Sequence, residues 1–488
     1  MKIFNSEQLR LLDAYTIKEK GIASVDLMER AASVFVEIFS EIFGAEESVR
    51  IICGTGNNGG DGLAVARLLH QKGYTVFVDI INGNESADFK INLERLNQQQ
   101  IPWQYVAELK LAPTDIIIDA IFGFGINRPT TGIYQKTIAA INESKSKVVA
   151  IDIPSGLFPD ASSENHSIVK ATHTISFESP KLAFMMPEND KWVGKLHIAP
   201  IGLSEQKKAE LKTDYHYTLK ADIKPLAREQ FGHKGTFGHA LLIAGSKGMM
   251  GAAVLASKAC LRSGVGKITT HIPRDTAQIL QISIPEVICQ ESENKSCFSE
   301  SWNTDTLQKY DAVGIGPGIG TKNMNGFENF LLNFPTNTPL VIDADAINLL
   351  GENPSLLKYL PRNVILTPHP KEFKTLIGQL WENDFEKLEL LKGFAIKNGV
   401  IICLKGHYTA MALPSGEVHF NSTGNSGMGT AGSGDVLTGI ILGFLAQGYS
   451  VKEAAIQGVY EHGLAGDRAA TKRSERAMIA SDIIENFI

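Results

Sequence analysis

Apolar positions follow two different rhythms along this chain. From Val25 to Ile42 they fall at Val25, Leu27, Met28, Ala31, Ala32, Phe35, Ile38, Phe39 and Ile42, close to helical spacing, with acids and Arg30 between them. Residues up to about Ser48 therefore read as two helices. Beyond them, short apolar runs alternate with helical stretches. Val49–Cys53, Thr75–Ile81, Asp115–Ala120, Lys147–Ile151, His173–Phe177 and Lys195–Ala199 read as strands, GTGNNGGDG (Gly54–Gly62) as a loop, and Leu63–Gln71 as a helix ended by Gly73. This alternation predicts an α/β domain with a largely parallel sheet.

Between Glu205 and Pro225 the rhythm lapses into the polar stretch EQKKAELKTDYHYTLKADIKP, which puts a domain boundary near Thr213 to Ala221 and predicts domains over residues 1–213 and 222–488. A second α/β series follows. Its expected strands are HALLIAG (His239–Gly245), Lys267–Ile272, Asp311–Ile315, Pro339–Ala344, Asn363–Leu366, Val400–Leu404, Tyr408–Leu413 and Glu417–Asn421. Its expected helices are Ala252–Ser263, Asn383–Asn398, Val436–Ala446 and Val451–Arg468.

Composition narrows the partners more than the fold. A chain of 488 residues exceeds one compact core, and 43% hydrophobic with 20% charged residues is globular. A formal net charge of −6 argues against nucleic acid or anionic membrane as a general partner. The N-terminus shows no signal peptide, and the apolar run Val436–Tyr449 is glycine-broken and too short to span a bilayer, so cytoplasm is the expected location. Cys53, Cys260, Cys289, Cys297 and Cys403 lack C-x-x-C spacing and read as free thiols.

The candidate chemistry lies in the loops. GNSGMGTAGSGDVLTG (Gly424–Gly439) holds six glycines, five of them before Asp435, and Asp435 is followed by an apolar helix start. Glycine amides and a helix dipole suit phosphate. A carboxylate does not, so Asp435 reads as the base for a hydroxyl proton in phosphoryl transfer, with helix capping as the alternative. Lys405 would supply a point charge and the Gly432–Gly434 backbone the amides. GIGPGIG (Gly314–Gly320), DADAIN (Asp343–Asn348), TPHPKEF (Thr367–Phe373) and LKGHYT (Leu404–Thr409) mark further strand ends.

In the first half, Gly54, Gly56 and Gly59 spell G-x-G-x-x-G, and Asp79 offers a ribose partner of dinucleotide-binding type. Two asparagines and Asp61 in that turn suit a pyrophosphate poorly. DAIFGFGINRP (Asp119–Pro129) and DIPSG (Asp152–Gly156) also end strands, so Asn58, Asp119 and Ser155, all oxygen donors, are expected to converge on one hard cation.

DLMERAA (Asp26–Ala32), GTGNNGGDG, DAIFGFGINRP and DIPSG, in this order, resemble the NAD(P)H-hydrate epimerase domain over nearly all of the first half. That resemblance implies a Rossmann-like three-layer α/β/α domain that interconverts the R and S epimers of hydrated NADH or NADPH. It implies substrate contacts at Asn57, Asn58, Gly59, Gly60 and Asp61, and at Gly123, Phe124, Gly125, Ile126, Asn127, Arg128 and Pro129. Asp152 would touch the substrate and do acid–base work, and potassium would sit at Asn58, Asp119 and Ser155.

GPGIG, TPHPKE, KG and GSGD resemble the ribokinase-like NAD(P)H-hydrate dehydratases over the second half. That implies an ADP- or ATP-dependent dehydration of the S hydrate with magnesium, releasing phosphate and, from ADP, AMP. Hydrate contacts would be Ala252, Gly318, His369 and Asp435; nucleotide contacts would be Lys405, Gly406, His407, Tyr408, Thr409 and Gly434. Assembly into a homo-oligomer is implied as well. The alternative is a small-molecule kinase of the hydroxymethylpyrimidine or pyridoxine type carrying an N-terminal metabolite-binding module.

Overall fold

A computed structural model describes residues 1–109, 111, 116–299 and 301–487. Asp115, expected to open a strand, and Ile488, the expected end of the second domain, lie outside the described residues. The chain divides into two compact units, Met1–Tyr215 with Asn383–Phe385, and His216–Glu382 with Glu386–Ile488.

The first unit runs α1 (Ser6–Lys20), α2 (Ser24–Ile42), β1 (Ser48–Cys53), α3 (Asn57–Gln71), β2 (Thr75–Ile81), α4 (Ala87–Gln98), β3 (Trp103–Val106), β4 (Ile116–Ala120), α5 (Gly132–Glu143), β5 (Val148–Ile151), β6 (His173–Phe177), α6 (Asp190–Val193), β7 (Lys195–Ala199) and α7 (Glu205–Glu210). Its seven strands form one sheet in the order β3-β2-β1-β4-β5-β6-β7, and every pair is parallel. Both faces are covered. Along β4, Ile116, Ile118 and Ala120 join the apolar cluster of Phe35, Phe39 and Leu63, whereas Ile117 joins that of Ile138 and Ile141. This period-two alternation sets the direction of Asp119 at the strand's end.

Most of GTGNNGGDG is helix rather than loop. α3 begins at Asn57 with Gly56 as its N-cap, and the glycines serve close approach. A Cβ on Gly62 would lie 2.5 Å from Ala120 Cβ and 2.7 Å from Cys53 Sγ, so its absence lets the first turns of α3 lie on the sheet.

The second unit contains β8 (Tyr215–Tyr217), within which the division falls, β9 (His239–Ile243), α8 (Met250–Arg262), β10 (Lys267–Ile272), α9 (Ala277–Ser283), β11 (Ile288–Glu291), α10 (Thr304–Leu307), β12 (Ala312–Ile315), α11 (Met324–Leu332), β13 (Leu340–Ile342), α12 (Ala344–Glu352), β14 (Val364–Leu366) and α13 (Pro370–Ile377). It closes with α14 (Asp384–Asn398), β15 (Ile401–Leu404), β16 (Ala410–Ala412), β17 (Val418–Phe420), α15 (Ser433–Ala446), α16 (Val451–Arg473) and α17 (Ala480–Glu485). The sheet order is β11-β10-β9-β12-β13-β14-β15-β16-β17-β8. It is parallel from β11 to β15 and antiparallel at β15–β16 and β16–β17. α15 packs on α8 through Gly439, where a Cβ would lie 2.1 Å from the Ala256 carbonyl oxygen.

None of the five cysteines forms a disulfide among the described residues, and Cys53, Cys260 and Cys403 are buried. No helix among the described residues is long and apolar enough to cross a membrane.

Candidate active sites

Ligands of open parallel sheets bind beyond the C-terminal strand ends, and in both units the motif residues gather there. In the first unit the adjacent strands β1, β4, β5 and β6 are followed at once by Gly54, Ile121, Asp152 and Glu178. Asp119, fully buried, accepts at 2.6 Å from the Ser155 hydroxyl and at 2.8 Å from the Ser155 amide. Burial pushes its carboxyl up to about 6, although the Ser155 and Ile121 donors pull the other way. A Cβ on Gly123 would lie 3.2 Å from Asn58 Oδ1, and Asn58 Nδ2 is buried with no hydrogen-bond partner among the described residues. Buried polar atoms are normally satisfied, so this orphaned donor has capacity to bond an acceptor atom of a ligand.

Asp152 sits just past β5 in the left-handed region, φ 67°. Its Oδ1 accepts from Lys181 Nζ at 2.6 Å and from the Phe177 amide at 2.9 Å. Lys181, 1% exposed, also donates to Ser176 Oγ at 3.0 Å and the Phe177 carbonyl at 3.1 Å. Asp61 lies nearby in the first turns of α3. Burial first, then the charges of Asp152, Asp13 and Asp88, raise its carboxyl well above the ordinary range. Of the remaining expected contacts, Gly59 and Gly60 are buried, while Asn57, Gly125, Asn127, Arg128 and Pro129 are exposed and Gly123, Phe124 and Ile126 half-buried. Asp79 is not available to a ribose: it is fully buried, bonded to Arg50 Nε at 2.5 Å and Gln104 Nε2 at 2.8 Å.

Lys181 and Asp13 carry no motif and were not among the expected residues. Lys181 could have been suspected from its place four residues beyond β6, at the same sheet edge as the other motifs. Nothing local marks Asp13, which comes from the first helix.

In the second unit, α15 opens at Ser433 with Gly432 as N-cap at φ 90° and no side-chain cap bond. Asp435 is therefore the third residue of the helix, and the capping alternative does not hold for it. The amides of Gly434 and Asp435 have no partner among the described residues, as expected for a first helical turn. Lys405 Nζ lies 3.3 Å from where a Gly434 Cβ would be. This lysine is not a lone charge. It donates to Asp343 Oδ1 at 2.9 Å and lies 3.9 Å from Glu372 Oε2, while Asp343 Oδ2 accepts from Thr438 Oγ1 at 2.6 Å. Burial lowers the Lys405 pKa, but Asp343 and Glu372 outweigh it, and the net shift is upward. Burial, then Asp343, lifts Asp435 to about 7, against the opposing pull of Lys405.

His369 caps α13: its Nδ1 accepts from the Lys371 and Glu372 amides, each at 3.1 Å, and its ring is 47% exposed. Thr409 closes the turn after β15 by donating to the Gly406 carbonyl at 3.0 Å. Gly406 and His407 are exposed and Tyr408 half-buried, with the His407 and Tyr408 rings 4.4 Å apart. Gly318, at φ 64°, approaches Ala252, whose Cβ would lie 3.0 Å from a Cβ on the glycine. Asp343 and Glu372 fall inside DADAIN and TPHPKEF, yet neither was assigned a role, because their partnership with Lys405 spans 62 residues in one case and 33 in the other.

The family described as NAD(P)H-hydrate dehydratase matches residues 240–488, and the YjeF-related protein N-terminus matches residues 24–183. The bifunctional NAD(P)H-hydrate repair enzyme Nnr of Moorella thermoacetica is 34% identical over 99% of this chain and 96% of its own length. The enzyme of the same description from Thermofilum pendens is 32% identical over 97% and 93%. Among solved structures, a ribokinase-like superfamily protein of Enterococcus faecalis is similar over 57% of this chain and 95% of its own, at 28% identity and a TM-score of 0.51.

Proposed function

Because the chain belongs to the bifunctional NAD(P)H-hydrate repair enzymes, we infer that it returns hydrated NADH and NADPH to use in two steps, epimerisation and nucleotide-dependent dehydration. We assign epimerisation to residues 1–213 and dehydration to residues 222–488. The observation that carries this reading is Asp435, a half-buried carboxyl held near neutrality beside free helix-start amides and Lys405. A base for a hydroxyl proton works best with such a pKa.

In the second unit, Asp435 takes the proton of the hydrate's hydroxyl as that oxygen attacks the terminal phosphorus of ADP or ATP, and the bond to the nucleotide breaks. The phosphorylated oxygen then leaves with its bonding pair as inorganic phosphate. Loss of a proton from the neighbouring carbon restores the ring double bond. The Gly434 and Asp435 amides and Lys405 stabilise charge on the transferred group, with Lys405, Gly406, His407, Tyr408 and Thr409 against the nucleotide. Ala252, Gly318 and His369 would hold the hydrate. Asp343, Glu372 and Asp435 give Lys405 three acidic neighbours, a surplus that suits a magnesium ion travelling with the nucleotide. Magnesium takes much of its coordination from water and phosphate oxygens, so it needs no preformed cluster of protein ligands.

In the first unit, Asn57–Asp61, Gly123–Pro129 and Asp152 would bind the hydrate. Asn58, Asp119 and Ser155 would hold potassium through their oxygens, a donor set that suits a hard cation, while the unpartnered Asn58 Nδ2 would donate to an acceptor on the hydrate. We place the protein in the cytoplasm, on the N-terminal reading that shows no signal peptide, and as a homo-oligomer on family grounds.

The test is to supply purified S hydrate with ADP, ATP or no nucleotide and follow the near-ultraviolet absorbance of the reduced nicotinamide. Nucleotide-dependent recovery with release of inorganic phosphate is expected. A stable phosphorylated alcohol would instead mark a kinase.

A further inference from the structure

The first helix has no part in the motifs, yet one of its faces looks into the first unit's site. Arg10 and Asp13 are three residues apart on α1 and so share a face. Arg10 Nη2 lies 3.5 Å from where a Gly125 Cβ would be, and its guanidinium carbon is 5.9 Å from the centre of the Phe124 ring. This stretch of α1 therefore borders the Gly123–Pro129 segment. One turn along, the half-buried Asp13 comes under the charges of Asp152, Lys181 and Glu178 and acts in turn on Asp61.

The neighbouring carboxylates differ in how far they are committed. Asp152 is bound through Oδ1 to Lys181, the Phe177 amide and the Ser176 hydroxyl. Glu178 accepts from Lys208 and from the Ile201 and Leu203 amides. Asp13 makes no hydrogen bond or ion pair among the described residues. At the same sheet edge, the unpartnered amide of Asn58, itself 9% exposed, independently marks a ligand.

We propose that Asp13 is a further catalytic residue of epimerisation, exchanging a proton with the hydroxyl at the hydrated carbon. This rests on the reading of the first unit as the epimerase. The Asp13 carboxyl gives its proton to the hydroxyl oxygen as the carbon–oxygen bond breaks, the electron pair leaves with oxygen, and water departs from a planar cationic ring. Water returning to the other face of that ring forms the new bond and releases a proton to solvent, and the Asp13 carboxylate regains its proton from solvent. Atoms and charge are then unchanged except for the configuration.

Burial first, then Asp152 and Glu178, raise the Asp13 carboxyl to about 7 despite the opposing Lys181. The groups facing it are Arg10 on its own helix, Asp61 on α3, Asp152 after β5, and Glu178 and Lys181 after β6. The protonated form is the working one, so epimerisation should fall as pH rises through about 7.

The experiment uses the full-length protein and purified R hydrate without nucleotide, with chromatographic separation of the epimers and subtraction of the spontaneous rate. Asp13→Asn is expected to lower kcat by about 100-fold or more with KM within about threefold, and to remove the limb near pH 7. Dehydration of S hydrate with ADP, measured on the same sample, should stay at the wild-type rate. Asp13→Glu should recover part of the activity with a displaced pH limb. Asp13→Asn activity near wild type, or an unchanged limb in Asp13→Glu, overturns the proposal while leaving the epimerase reading intact. No wild-type acceleration over the spontaneous rate overturns both.

Discussion

Asp435 shows how one residue's surroundings decide what it can do. The helix start was legible from the glycines before it and the apolar run after it. That the carboxyl stands free of the cap, close to Asp343 and Lys405, was not, because those residues come from strand ends 92 and 30 positions away. Its elevated pKa sets the sign of the pH dependence. The base works deprotonated, so dehydration should rise with pH and level off above about 7. Asp435→Asn is expected to lower turnover of S hydrate by about 100-fold or more and to abolish that rise, as initial rates with saturating ADP across pH will show. Lys181 offers a contrasting case. It is 1% exposed and pairs with a carboxylate that is also buried, so Lys181→Met leaves Asp152 unpaired in the interior. Urea unfolding should show a loss of roughly 3–5 kcal/mol.

At the scale of elements, regular apolar rhythm translated well into strands. β2, β6, β7 and β10 have the residues expected of them. The errors lie where glycine signals two things at once. GTGNNGGDG reads as a loop because glycine is a poor helix former, yet α3 begins within it because only glycine allows its first turns to touch β1 and β4. The same logic governs α15, whose Gly439 and Gly443 lie against α8 and its C-terminal end. Gly62→Ala forces a methyl against Ala120 and Cys53. It is expected to cost about 1–3 kcal/mol in denaturant unfolding, and to depress epimerisation while dehydration of S hydrate persists. The edge strands β3 and β11 escaped the sequence because they are largely exposed, whereas the equally short β5, β12 and β15 are buried throughout and read as apolar runs.

At the scale of the whole molecule, each unit has its own wholly or largely parallel sheet and apolar core, and each gathers its motif residues at one sheet edge. Two activities on one chain should therefore be separable by point changes. A mixture of Asp435→Asn and Asp152→Asn proteins is expected to clear an R and S hydrate mixture that neither variant clears alone, since the epimerised hydrate passes between them in solution. Absorbance recovery beyond the S fraction is the readout.

The order of motifs, the α/β alternation and the chemistry of each strand-end loop were determined by the sequence, since they depend on residue types within a few positions of one another. Tertiary structure alone decided which charges meet. Lys405 finds Asp343 and Glu372, Asp152 finds Lys181, and α1 brings Asp13 beside them. These pairings depend on which strands lie adjacent in a sheet, and electrostatic coupling follows distance through space rather than distance along the chain.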